Sequence, residues 1–213
     1  MLTALHLVSL LALGQLDGGA ATPEPKELTS TAPWTYVETE AGVRLDKRDV
    51  KGSAYAAYRA MMTADVPVDT FCTSVFDWGS YAAHDEVSVR KLLADEGDLR
   101  VVYDQVQQKV VSDRDYAMTQ RRWTENGACH IRFWVTNERA PEPPKGFVRM
   151  EKMWGAWDFA PSDQGTEVTY VLFSDPAGSI PSFLVHGAQK KSVHATMHGA
   201  LERAKRGKLP PHP

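Results

Sequence analysis

The last element that the sequence predicts, a single long amphipathic helix, restricts the fold more than any other feature of this chain. Pro181 suits the first turn of a helix, and Pro210 and Pro211 prevent its continuation far beyond Arg206. The predicted apolar side comprises Leu184, Ala188, Val193, Met197, Ala200, Leu201 and Ala204, and the polar side comprises Gln189, Lys190, Lys191, Glu202, Arg203, Lys205 and Arg206. A helix of this kind needs an apolar surface to cover.

The segments before this helix alternate between apolar and polar residues, which is typical of strands. Strands are predicted over Val43–Asp46, Tyr55–Ala64, Val87–Leu93, Leu99–Val106, Asp115–Trp123, Cys129–Thr136 and Glu167–Ser174, and a pair of strands is predicted within Phe147–Phe159. In one of them, Ile131, Phe133 and Val135 alternate with His130, Arg132 and Trp134, so the two sets should face opposite sides of a sheet. A short helix is predicted from Asp69 or Thr70 to Phe76.

A run of antiparallel strands followed by one long helix predicts an α+β helix-grip fold. In this fold a curved antiparallel sheet wraps around the C-terminal helix. One helix does not fill the interior of a strongly bent sheet. We therefore expect an internal hydrophobic cavity, for which an apolar ligand is the natural occupant.

Length and local composition predict one globular domain behind an export signal. The chain has 213 residues, of which 43% are hydrophobic, enough for one full core. Residues 1–21 contain an apolar run that ends in small residues, so we predict a signal peptide, although no Lys or Arg precedes the run. The alternative is an N-terminal helix of the mature fold. We assign residues 22–33 to a linker, 34–208 to the domain and 209–213 to a tail, and expect export to a periplasm or secretion.

Charge and cysteine usage exclude several classes of function. The formal net charge is -3, which argues against nucleic acid as a partner. Cys72 and Cys129 lie far apart, and for them we favour two buried free thiols over a disulfide. The histidines and cysteines do not follow a zinc-ligand spacing, so we predict no metal and no cofactor. We expect a monomer.

Two short segments carry the strongest functional signal. Val111–Trp123 predicts a turn that enters a strand with charged residues, and Asp175–Val185 predicts a strand end, a Pro/Gly turn and a helix start. Together they resemble the START family, the lipid-transfer domains related to the steroidogenic acute regulatory protein. The first family pattern matches Ser112–Tyr116, the closing pattern matches Asp175–Leu184, and Asp77–Trp78 and Phe147–Arg149 match two further segments. The resemblance implies a helix-grip domain that binds a lipid or sterol-like molecule.

The chain departs from the family patterns at two positions. Ala177 stands where the closing pattern has a glycine, so we expect Gly178 to meet any need for a positive φ. Gln120 stands where many members carry a buried arginine. A simple buried acid–base pair is therefore not expected at this position.

The polar site residues follow from the resemblance and from the strand pattern. Asp104 is expected to face the cavity with Gln120 as its partner, so that together they bind a headgroup or a hydroxyl. The alternative for Asp104 is an exposed carboxylate at a sheet edge. Arg149 is a candidate for contact with a phosphate or carboxylate headgroup, and its alternative is an outward position beside Glu151.

The remaining candidates form the wall, the lid and the turns. Ile131, Phe133 and Tyr170 are predicted to line the cavity, and Phe183, Leu184, Met197 and Leu201 are predicted to close it as a lid. Arg114, Asp115, Pro176, Gly178 and Pro181 are the residues of the two structural motifs. For Arg114 and Asp115 we favour a role in holding the turns over a polar contact at the cavity mouth.

The predicted function is the binding and transfer of a single lipid or sterol-like ligand in a cavity gated by the C-terminal helix. The basic residues of this helix and the Pro-rich segment Asn137–Lys145 are expected to meet a membrane surface transiently. The alternatives are a ligand-sequestering or sensing module without transfer, and a cyclase- or aromatase-like enzyme that uses His84–Asp85. We predict that the protein is not an enzyme, because no nucleophile elbow or comparable signature is present.

Overall fold

The computed structural model describes residues 23–77, 87–108, 112–177 and 182–206, with the backbone alone for residues 182–184. The predicted signal peptide, the predicted tail, Gly178 and Pro181 lie outside these residues, as do the side chains of Phe183 and Leu184. Within the described ranges, no helix is long and apolar enough to cross a membrane.

Ten strands in the described part of the chain form one sheet. The strands are β1 (Thr35–Glu40), β2 (Val43–Asp49), β3 (Ala56–Ala64), β4 (Val87–Asp95), β5 (Leu99–Val106), β6 (Asp113–Glu125), β7 (Ala128–Val135), β8 (Phe147–Arg149), β9 (Lys152–Ser162) and β10 (Gly165–Asp175), and the helices are α1 (Val68–Phe76) and α2 (Ser182–Arg206). Neighbouring strands follow the order β1-β2-β3-β10-β9-β7-β6-β5-β4, and β8 pairs with β6 in parallel. The curved antiparallel sheet with its C-terminal helix confirms the predicted α+β helix-grip fold.

Short turns with a positive φ connect several pairs of antiparallel neighbours. Between β6 and β7, Asn126 has φ 51° and Gly127 has φ 77°. Two such residues make the two-residue hairpin turn whose twist matches that of the flanking strands. The pairing of Glu125 with Ala128 at this turn sets the register of the hairpin, so that Ile131 and Phe133 reach the concave face.

Helix α1 closes one end of the concave face. It begins directly after Pro67, slightly before the predicted cap at Asp69 or Thr70. Its buried face includes Phe71, whose ring lies 5.2 Å from the ring of Phe159 on β9. The predicted helix is therefore present, and the strands around it supply its apolar contacts.

A disulfide joins α1 to the sheet. Cys72 of α1 is bonded to Cys129 of β7, so the prediction of two free thiols is wrong. The two Cα atoms lie 6.3 Å apart, within the range that a disulfide spans. The fold brings α1 over the start of β7, and a separation of 57 residues along the chain does not reveal this proximity.

Helix α2 packs one stripe of side chains onto the concave face. The buried residues are Val185, Gln189, Val193, Met197, Ala200, Arg203 and Ala204. Ala188, predicted on the apolar side, is exposed, and Gln189, predicted on the polar side, is buried. Gln189 tolerates burial because its amide donates to the carbonyl of Ser174, at 2.6 Å, and to the hydroxyl of the same residue.

The convex face carries a second apolar cluster under the N-terminal segment. Trp134, Trp154 and Phe173 are buried there, and Leu28 and Trp34 pack against them. Trp134 thus faces away from the interior, as its alternation with Phe133 predicts, but it is not exposed.

Hydrogen bonds hold the N-terminal segment on this face. Residues Lys26–Thr29 form a short 3-10 turn. The guanidinium of Arg48 donates to the carbonyl oxygens of Glu27, at 3.1 Å, and Ser30, at 2.8 Å, and lies 4.4 Å from the ring centre of Trp34. Part of the segment predicted as a linker is therefore packed on the sheet.

Candidate functional site

Apolar side chains from the strands and both helices form one cluster between the concave face and α2. The predicted wall residues Ile131, Phe133 and Tyr170 belong to it, and so does the predicted lid residue Met197. Leu201 packs against the same cluster and is partly buried. The structure therefore brings together the predicted apolar site residues whose side chains it describes.

Aromatic rings make up much of the wall on β7, β9 and β10. Tyr170 stacks on Trp157 with their ring centres 4.2 Å apart, and Phe133 stacks on Tyr170 at 6.4 Å. The ring of Phe133 lies where a side chain at position 155 would be: a Cβ at Gly155 would approach Phe133 Cζ to 2.1 Å. The glycine at this position therefore makes room for the aromatic wall.

A buried ion pair lies among these apolar groups. Asp104 of β5 and Arg90 of β4 occupy facing positions of the two strands. The Nε of Arg90 donates to Oδ1 of Asp104 at 2.6 Å, and Nη2 donates to Oδ2 in a second short hydrogen bond. Their side chains are 3% and 0% exposed, so the pair is bidentate and shielded from solvent.

Tyr116 of β6 adds a hydroxyl to this ion pair. It lies opposite Asp104 across the β5–β6 ladder. Burial raises the pKa of Tyr116 well above its ordinary value, and the adjacent Asp104 carboxylate raises it further. The phenol therefore keeps its proton at physiological pH. Arg90, Asp104 and Tyr116 together form what we call the interior polar cluster.

Gln120 does not belong to the interior polar cluster. It pairs with Arg100, whereas Asp104 pairs with Tyr116, so the two predicted partners lie about 13 Å apart along the strand direction. The prediction that Asp104 pairs with Gln120 is therefore wrong, and Arg90 provides the partner instead. Gln120 is itself 8% exposed, and among the described residues its Oε1 has no hydrogen-bond donor.

Arg149 lies on the other face of the sheet, contrary to the prediction that it contacts a headgroup in the cavity. Its guanidinium forms a bidentate ion pair with Asp115, at 2.6 and 3.0 Å, and donates to the carbonyl of Pro141. Tyr103 also donates to the Asp115 carboxylate, at 3.0 Å. The hydrogen bond to Asp115 raises the pKa of Arg149, which stays charged. These bonds fasten the Pro-rich segment to the convex side.

Arg114 connects the two sequence motifs. Its guanidinium donates to the carbonyl oxygens of Pro176, at 2.6 Å, and Ala177, at 3.2 Å, and to Ser112 in a short bond. These are the contacts of an arginine that holds a turn. They fix the chain just before α2 to the start of β6.

In the turn before α2, Ala177 has a positive φ of its own, whereas Gly178, to which the prediction gave this role, lies outside the described residues. Ala177 itself has φ 56° and so lies in the left-handed region. Its backbone N–H is bonded to Oδ1 of Asp175 at 3.0 Å, and its carbonyl accepts from Arg114. These two bonds hold an alanine where the family pattern has glycine.

A bent antiparallel sheet, closed by its C-terminal helix over an interior with a buried Arg–Asp pair, defines a helix-grip protein with a candidate ligand site inside. The chain belongs to the START domain family, whose model matches residues 46–207. The sequence is 29% identical over 176 residues to an uncharacterized protein of Pseudomonas aeruginosa, covering 81% of this chain and 87% of the relative.

Solved structures share the fold at lower identity. The structure of a STAR-related lipid transfer protein fragment from Xanthomonas axonopodis matches with a TM-score of 0.74 and 23% identity, over 81% of this chain and 98% of that one. Human STARD10 matches with a TM-score of 0.75 and 17% identity, over 89% and 83% of the two chains. At these identities the likeness establishes the fold.

Proposed function

We propose that the protein binds one lipid or sterol-like molecule between the concave face and α2, and transfers it between membranes. The observation that carries the proposal is the interior polar cluster within an otherwise apolar, partly aromatic wall. An isolated ion pair in a core contributes little to stability compared with apolar residues of the same size. A ligand that the pair orients would account for its presence in the core.

The chemistry of the interior defines what the ligand looks like. Burial of acyl or ring carbons contributes about 25 cal/mol per Å² of apolar surface. Arg90 and Asp104 neutralise each other, so the cluster favours a polar group without net charge, such as a hydroxyl or a zwitterionic headgroup. We choose phosphatidylcholine as the first lipid to test, because the two sequence motifs resemble those of phosphatidylcholine transfer protein.

Membrane contact is assigned to the outer side of α2. Lys191, Lys205 and Arg206 are exposed there, and each cation near an anionic surface contributes about 1 kcal/mol. The segment Asn137–Lys145 is the second candidate for contact, and the bond from Arg149 to Pro141 holds it in place. In this mechanism α2 opens at the membrane and closes over the captured molecule.

Uptake from vesicles with a matched pair of substitutions tests the proposal. Leu201→Asp places a charge where α2 packs on the core, whereas Ala195→Asp places the same charge at an exposed position of the helix. We expect L201D to lose uptake of fluorescent phosphatidylcholine and A195D to retain it. Equal uptake by both variants would contradict the assignment of α2 as the closing element.

The same assay separates the alternatives. Uptake without delivery to acceptor vesicles would indicate a sequestering or sensing module. A ligand recovered in chemically altered form would indicate an enzyme on this fold. Delivery of unchanged lipid is the result that we expect.

We also propose that residues 1–21 direct export. The Cys72–Cys129 disulfide supports this, because such bonds persist in oxidising compartments. Fractionation of cells that express the full chain tests the proposal. We expect a shortened, disulfide-bonded protein outside the cytoplasm, and full-length reduced protein in the cytoplasm would contradict it.

A further inference from the structure

The edge strand β1 contacts α2 at an irregular part of the sheet. β1 has β2 as its neighbour and lies at one end of the strand order. The register between them shifts between Tyr36 and Glu38, which marks a bulge at Val37. A bulge redirects side chains, and both Val37 and Glu38 are partly buried. Glu38 thereby reaches α2.

Glu38 accepts hydrogen bonds from two side chains of α2. Its Oε2 lies 2.7 Å from Nζ of Lys190, and its Oε1 lies 3.3 Å from Nε2 of His194. Lys190 and His194 are one helical turn apart and therefore project from the same flank. Both carboxylate oxygens of Glu38 are engaged by one stretch of the helix.

Glu38 and Lys190 each stabilise the charged form of the other. The hydrogen bond from Lys190 lowers the pKa of Glu38, and Glu38 in turn raises the pKa of Lys190. Glu40 lies close by, and the ligand atoms of Glu38, Glu40 and His194 are all within 4.8 Å of one another, an arrangement that can hold a metal ion. Lys190 already places a cation on Glu38, so the cluster is described more simply as a contact between β1 and α2.

The first and second halves of α2 are held in different ways. Val193, Met197, Ala200 and Ala204 belong to the main core cluster. Val185 is buried but is not among the residues of that cluster. Among the described side chains of the first half, polar contacts supplement the burial of Val185 and Val193, namely Gln189 to Ser174 and the two bonds to Glu38. Loss of a polar contact should therefore release the first half before the second.

We propose that Glu38 latches the first half of α2 to the edge strand β1 and thereby sets the rate at which the interior exchanges its ligand. The link to ligand exchange rests on the proposed function, whereas the latch itself does not. An ion pair of this exposure is weak, so it restrains the helix without locking it. The bond is strong enough to change an opening equilibrium about two- to fivefold.

Hydrogen exchange of the ligand-free protein, read by mass spectrometry, tests the latch without any lipid. Glu38→Gln removes the charge that Lys190 contacts. Glu40→Gln removes a charge from the same strand that acts on Lys190 through space, without a hydrogen bond to α2 among the described residues. We expect E38Q to speed exchange over residues 186–194 about two- to fivefold, with residues 196–206 unchanged. Equal exchange in E38Q, E40Q and the parent protein would overturn the proposal.

Lipid exchange then tests the consequence. With phosphatidylcholine vesicles that carry a self-quenching fluorescent analogue, E38Q should load and release lipid about two- to fivefold faster than E40Q. The charge swap Glu38→Lys with Lys190→Glu should return the rate towards that of the parent. Faster hydrogen exchange without faster lipid exchange would overturn the link to ligand exchange. Failure of the parent to load any lipid would count against the proposed function, while hydrogen exchange still decides the latch.

Discussion

The Arg90–Asp104 pair is the residue-scale feature on which the candidate site depends. Both side chains are removed from solvent, and Tyr116 shares their environment. Removal of one partner from a buried pair leaves an uncompensated charge, whereas removal of both is often tolerated. This asymmetry separates the contribution of the pair to folding from its contribution to ligand binding.

Substitution of Arg90 by Met should lower the free energy of unfolding by about 3–5 kcal/mol, because Asp104 then stays buried without a cation. Arg90→Met combined with Asp104→Leu should recover most of this loss. Urea unfolding followed by tryptophan fluorescence measures both. We expect the double variant, although folded, to bind lipid more weakly than the parent. A double variant no more stable than R90M would contradict this account of the pair.

Ala177 gives a second prediction at this scale. Its φ of 56° is unfavourable for an L-residue with a Cβ, so Ala177→Gly should raise the free energy of unfolding by about 0.5–1 kcal/mol. The matched control is Ala188→Gly at an exposed position of α2, which should lower it by about 1 kcal/mol. Thermal unfolding of both variants provides the comparison, and a destabilised A177G would show that the turn does not require this conformation.

At the scale of elements, a disulfide and two arginines anchor α1 to the sheet. The guanidinium groups of Arg100 and Arg122 lie 4.2 and 4.4 Å from the ring centre of Phe76. Arg100 also donates to the carbonyl of Phe76 at 2.9 Å, which satisfies an acceptor at the helix end. These contacts make α1 a fixed base against which α2 packs.

Loss of the Cys72–Cys129 bond should destabilise the protein. Cysteine to serine substitution at both positions should lower the free energy of unfolding by about 2–5 kcal/mol, because the unfolded chain gains the freedom of an open loop. Unfolding in urea with and without reductant measures the effect. The reductant should weaken the parent and leave the double variant unchanged. Sensitivity of the double variant to reductant would contradict this explanation.

The local sequence pattern predicted the strands and helices well. The contacts that it missed depend on pairing between distant parts of the chain. The run Leu99–Val106 forms β5 with the predicted bounds, because alternation and turn residues are local signals. The partner of Asp104 was missed because the register of β4 on β5 includes shifts that place Arg90 opposite it. The sequence did contain a signal for this ion pair: Arg90 and Asp104 lie in two successive predicted strands, which can pair as a hairpin.

Two further differences also arise from distant parts of the chain. Cys72 meets Cys129 because α1 crosses to β7. Arg149 faces outward because β8 pairs in parallel with β6, so that Arg149 lies beside Asp115. A sequence pattern fixes which residues alternate, but the face that each set occupies depends on the sheet to which the strand is added.

At the scale of the whole molecule, the sheet, α1 and α2 pack the main apolar cluster between them, and Tyr116 of the interior polar cluster belongs to this interior. The central claim is that this interior holds a single lipid. Native mass spectrometry of the protein purified from its own host, followed by lipid extraction, tests it most directly. The account predicts one bound lipid per chain, unchanged in structure. A folded protein that carries no lipid and takes none from vesicles would contradict it.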